Sequence, residues 1–156
     1  MKTHSTQSYA KGDPVKIGQA NRLDEQDRKA LALWASECAA HVLSYFEEKY
    51  SQDDRPRKAV EAGRAWARGE ITMSQARIAA FAAHAAARDA NDSAAIAAAR
   101  SAGHAAATAH VPNHARHAAT YAVKTVTAAF GGNAVEVVAE RNWQTDVFVK
   151  LNLGEL

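Results

Sequence analysis

Cysteine is almost missing from this chain of 156 residues: Cys38 stands alone, so no intrachain disulfide can form, and a reducing compartment suits the sequence. Long apolar runs are missing too. The alanine-rich middle is broken by Arg88, Asp89, Asp92, Arg100 and His104, which leaves no stretch of the kind that crosses a bilayer. Residues 1–20, MKTHSTQSYAKGDPVKIGQA, lack the apolar centre of a secretion signal. Neither charge sign dominates. Nineteen basic residues face seventeen acidic ones for a net charge of +2, and near such balance a pI of 8.8 turns on one or two groups. A nucleic-acid partner normally needs a clustered basic face, so none is expected. No membrane partner is expected either, and the expected location is the cytoplasm.

Motifs of known chemistry are equally scarce. Ser36, Ser44, Ser93 and Ser101 have no nucleophile-elbow context, and Gly131-Gly132 has neither the spacing of a phosphate loop nor a following Lys-Ser or Lys-Thr. There is no HExxH pair. Glu140 or Asp146 could join a distant carboxylate in acid–base work, but any helical protein offers as much. No cofactor is implied, and an enzyme is the less favoured class.

What is present is alanine and helical periodicity. A polar stretch with Gly12, Pro14 and Gly18 makes 1–22 a flexible arm, and 23–156 reads as one helical domain. Asp24 caps a first helix running to about Tyr50, with Leu31, Trp34, Cys38, Val42 and Tyr45 recurring at three and four. The acidic run Glu47, Glu48, Asp53, Asp54 and the basic run Arg55, Arg57, Lys58 are two helix ends meeting solvent. A second helix over about 56–68 begins with Pro56, turns Ala59, Ala62 and Trp66 inward and stops at Gly69. Thr72 and Gln75 form a capping-box pattern, with Ile71 placed to staple onto Ala76. The third helix, Met73 to about Ala90, puts Ile78, Phe81 and Ala85 on one face. Asn91-Asp92-Ser93 breaks it and caps a fourth helix to about Ala109.

Alanine holds 19 of the 34 positions from Ala76 to Ala109, which favours helix and lets backbones approach closely. Such small side chains bury little area, so anchoring should come from Trp34, Trp66, Phe81 and Trp143. The third and fourth helices suit an antiparallel hairpin. Pro112 either kinks the chain or starts a new helix to about Phe130, and Gly131-Gly132 ends it. From an Asn133 cap, the last helix turns Val135 and Val138 inward, then Trp143; DVFVKLNL finishes as helix or as an extended tail. The fold class is all-α, a compact alanine-rich bundle of about five to six helices.

Histidine is the unusual residue. If helix continued through Pro112, His110, His114 and His117 would share one face with Tyr121 and Lys124, and His84 and His104 could approach from neighbouring helices. Imidazoles so spaced can bind a first-row metal, although no carboxylate or cysteine lies among them. Packing and hydrogen bonding between close alanine helices is the simpler account. Arg77, His84 and Arg88, with Arg100 and His104, form a polar stripe that is either a solvated face or a patch for an anionic groove. Trp143, beside Arg141 and Gln144, is either end packing or an interface anchor.

Several ordered signatures carry a family resemblance. They are Trp34 with Cys38, the run Asp54-Arg55-Pro56-Arg57-Lys58-Ala59, and Ala65-Trp66 leading to Gly69-Glu70-Ile71-Thr72. Further along come Ala102-Gly103-His104, Ala109-His110-Val111, and Glu140-Arg141 with Trp143-Gln144. Over roughly 25–145 the chain resembles the bacterial putative immunity proteins with the Imm-5-like domain. The resemblance implies an all-helical cytoplasmic protein, monomer or homodimer, that neutralises a toxin through protein–protein contact. It carries no catalytic residues across. On that reading Trp143, Arg141, Arg77 and Arg88 are the candidate binding residues. The alternative is a small metal- or ligand-binding helical enzyme centred on His84, His104, His110, His114 and His117.

Overall fold

The computed structural model describes residues 23–153; the arm read for 1–22 lies outside the described residues. Among these there are seven helices and no strand: α1 (Glu25–Val42), α2 (Ser44–Glu47), α3 (Arg55–Ala67), α4 (Met73–Asp89), α5 (Ser93–Ala107), α6 (His114–Ala129) and α7 (Ala134–Lys150).

Local chemistry sets most of the boundaries. Asp24 accepts from the Asp27 amide, Asp92 from Ala95 and Asn133 from Val135, each satisfying an N–H that has no partner within its helix. Thr72 and Gln75 form the full capping box. At the head of α3 the capping acceptor is Asp53, whose carboxylate takes the Arg55 amide, while Asp54 makes no side-chain cap. Gly69, Gly131 and Gly132 adopt positive φ at the two stops, where a side chain would be strained.

The expected first helix is divided at Leu43, whose amide bonds to Ala40 in a tightened turn. That division raises the helix count from six to seven. Pro112 resolves as a break: α5 ends at Ala107 and α6 starts at His114, so His110 lies in the connecting turn and does not share a helix face with His114 and His117. The last segment stays helical to Lys150, and Leu153 is buried after it.

α4, α5 and α6 lie side by side, with α5 between its neighbours. α1 and α3 cover one face of that layer, and α7 packs on α6. α5 is the axis, with ten of its fifteen residues buried, nine of them alanine or glycine. The packing there is backbone against methyl group. Ser36, at the α1 contact, would be struck by any Cβ at Gly63, which also comes within 3.4 Å of the Ala105 carbonyl. Small residues hold α1, α3 and α5 together as closely as helices can approach.

This packing overturns two inward faces expected from residue size. In α4, Ala76, Ala80, Ala83, Ala86 and Ala87 are the buried residues, whereas Ile78 is 68% exposed and Phe81 56%. In α7, Val135 and Val138 are exposed, while Glu140 and Gln144 are buried. The large anchors are Phe46, fully buried, together with Trp66 and Val42; Trp34 and Trp143 pack against the core from its edge. Cys38 is buried, and burial raises its thiol pKa well above the ordinary value, which keeps it protonated and inert.

Candidate functional site

Five of the singled-out histidines come together on the outer face of the α4–α5–α6 layer, away from α1 and α3. His104 is the centre. Its ring lies 4.9 Å from His84, 5.1 Å from His114, 5.2 Å from His117 and 5.2 Å from Tyr121, the last stacked nearly parallel. His84 reaches it from α4, His114, His117 and Tyr121 from α6. His110 joins from the turn, 5.6 Å from His114. Gly103 makes the arrangement possible, because a Cβ there would meet the His84 ring at 2.7 Å.

Hydrogen bonds fix the protonation pattern. Arg100 Nη1 lies 2.9 Å from His84 Nδ1. A guanidinium can only donate, so His84 Nδ1 accepts, and its ring is neutral with the proton on Nε2. The Nδ1 atoms of His104 and His114 are 2.9 Å apart, which requires exactly one proton between them. Burial first, and then Arg100, His114 and Arg88, push His84 down to about 4. Burial and the neighbouring imidazoles push His104 down to about 3. His110 and His114 are lowered too, burial again being the main cause. His110 Nδ1 is buried and has no partner among the described residues.

The cluster does not supply the ligand set that the metal-centred alternative requires. Among the described residues, no three His, Cys, Asp or Glu side chains are set to hold one ion.

Cations frame the imidazoles. Arg77 and Arg88 are exposed on the same stripe of α4 as His84, and the Arg77 guanidinium lies over Phe81 at 5.2 Å. Lys124 sits over Tyr121 at 4.6 Å. Thus the polar stripe read from Arg77, His84, Arg88, Arg100 and His104 forms one continuous surface.

The other candidate residues sit elsewhere. Trp143, on α7, is half-buried and stacks on His41 with ring centres 3.6 Å apart. Arg141, two residues earlier, is exposed on a different side of the helix. Sequence reasoning missed the pair beneath them: His41 Nδ1 lies 2.8 Å from Glu140 Oε1, and Gln144 donates to the Ala119 carbonyl. The available signal was His41 at helical spacing from Trp34 and Cys38, with Glu140 and Gln144 one turn apart. A second concavity, lined by Leu31, Trp34, Pro112, Ala115 and Phe148, is apolar and holds no titratable group but Arg116.

Comparison with known proteins decides the family. A family model described as "Imm-5 like putative immunity protein" matches residues 21–149. The chain belongs to that family. No curated protein and no solved structure matches it. The matched span takes in every helix among the described residues of this Imm-5-like chain, almost to the end of α7, and with them both the histidine face and the His41–Glu140 pair. No helix among the described residues is long and apolar enough to cross a membrane.

Proposed function

We propose that this Imm-5-like protein neutralises a bacterial toxin by direct protein–protein contact in the cytoplasm, as a monomer or homodimer, with no chemistry of its own. The family match over 21–149 carries the reading. An inhibitor needs a complementary surface with aromatic and arginine anchors. Two such surfaces are available: the α4 stripe with Arg77, Phe81 and Arg88, and the α7 end with Arg141 and Trp143.

Co-expression with a panel of bacterial toxin domains tests the proposal. Growth rescue and co-elution as a defined complex are the expected results. A chain that neither protects cells from any toxin domain of the panel nor associates with one overturns it. Elemental analysis of protein purified without added metal addresses the metal-centred alternative, and a substoichiometric content is expected. Stoichiometric metal that disappears in a His110→Ala, His114→Ala double variant would favour the alternative.

A further inference from the structure

Acidic residues are distributed unevenly. Between Met73 and Ala129 the only two are Asp89 and Asp92, both at the α4–α5 junction. Both are engaged from outside the layer, Asp89 by Arg55 at 3.0 Å and Asp92 by Lys49 at 3.9 Å. Several cations elsewhere have carboxylate partners, among them Arg57 with Glu47, Arg64 with Glu37 and Arg68 with Glu70, while the scattered Arg28, Arg116, Arg141 and Lys150 form no ion pair among the described residues. Arg77, Arg88, Arg100 and Lys124 have none among the described residues, although all four surround one cluster of imidazoles. The face therefore carries one sign of charge with nothing in the described protein to balance it.

We infer that the outer face of the α4–α5–α6 layer is the partner-docking surface and that it receives an acidic protein surface. The inference rests on the immunity reading and deepens it. Charge complementarity names the partner's sign: carboxylates are the groups that four unpaired cations stabilise on contact, and an opposed basic surface is repelled. Three features favour a protein over a nucleic acid. The cations are few, and their centre is filled by neutral imidazoles that bring little charge to a phosphate backbone. Exposed Phe81 and Met73 lie on the same α4 stripe as Arg77, His84 and Arg88, giving the apolar and arginine mixture of a protein interface. The Arg77 guanidinium is also pre-oriented by its position over Phe81, so less freedom is lost on docking.

The test titrates isotope-labelled protein with a synthetic glutamate-rich peptide and, separately, with single-stranded DNA of matched charge. A footprint confined to the outer face of α4–α6, weakening as salt rises, is expected. Arg77→Glu with Arg88→Glu should weaken peptide binding by about tenfold or more, whereas Lys58→Glu with Lys150→Glu, the same change of charge elsewhere, should alter it by less than about twofold. A footprint elsewhere or none, equal effects of the two double variants, or tighter binding of the DNA overturns the inference. The toxin-domain panel separates this inference from the immunity reading. If the wild type protects cells and the Arg77→Glu, Arg88→Glu variant protects equally, the docking face is wrong and the immunity reading stands. If the wild type fails to protect while the peptide footprint lies on this face, the immunity reading fails and the acid-binding surface stands.

Discussion

Gly103 is the space that His84 occupies. A single added methyl group at position 103 would lie 2.7 Å from the imidazole, closer than the ring can tolerate. Gly103→Ala should therefore push His84 away from Arg100 and His104. Overpacking of this kind costs about 1–3 kcal/mol. The accompanying sign is local: the His84 pKa should climb from about 4 towards its ordinary 6.5 as the ring is freed. Denaturant unfolding and imidazole NMR titration measure both effects. Combining Gly103→Ala with His84→Ala should recover part of the lost stability, because the obstructing ring is gone. If Gly103→Ala is as stable as the wild type and His84 still titrates low, the contact is not tight.

Stability should fall as pH drops from neutrality. In the unfolded chain the histidines take up protons near 6.5, whereas His84 and His104 resist until about 4 and about 3. Between those limits the unfolded state binds more protons, so each histidine's contribution is complete above 6.5 and is lost progressively as pH falls through the folded value. Besides burial, Arg88 from α4, Arg100 from α5 and His114 from α6 oppose protonation of His84, and His84, His114, His117 and Arg100 oppose that of His104; Arg77, Lys124 and His110 also border the cluster, and no carboxylate on these elements faces it. Melting temperatures recorded from pH 8 to pH 4 should decline through this window. The His84→Gln, His104→Gln double variant should show a shallower decline, and an equally steep one would place the sensitivity elsewhere.

α7 is held by polar groups, and Glu140 is the main one. Its carboxylate is 5% exposed, lies against His41 and is approached by Gln144. The helix gains a further tie where the Trp34 indole donates to the Gln144 carbonyl at 2.9 Å. Glu140→Ala removes the partner of the His41 nitrogen, but that ring is partly exposed and can turn to water, so a loss of about 0.5–1.5 kcal/mol is expected. Hydrogen exchange should speed up over 134–150 while α5 stays protected. Uniform loosening of the whole bundle would show that α7 is not a separable unit.

Helix boundaries were legible because capping is local. Asp24, Thr72 with Gln75, Asp92 and Asn133 each work across two or three residues, a distance that sequence spacing encodes directly. The inward faces of α4 and α7 were not legible. Residue size points Ile78, Phe81, Val135 and Val138 inward, but alanine contacts in α4 leave no volume for the first two, and in α7 the buried positions go to Glu140 and Gln144, so all four turn to solvent. The meeting of His84 and His104 with His114 and His117 could be anticipated from neighbouring helices. The position of His110 could not, since it depended on whether Pro112 bent a helix or ended one. The His41–Glu140 pair escaped because it joins positions 99 apart, and nothing in either local pattern names the other.

The methyl-to-backbone packing of α5 divides the molecule into a part that cannot vary and a part that can. Where Gly63, Ala105 and Ser36 meet, every larger residue is refused, so the scaffold admits almost no alternative interior. On the outer face, Arg77, Phe81, Arg88 and Lys124 end in solvent and can be exchanged with little effect on folding. A lineage of such proteins could change which partner it recognises, side chain by side chain, while the helices beneath stay in register.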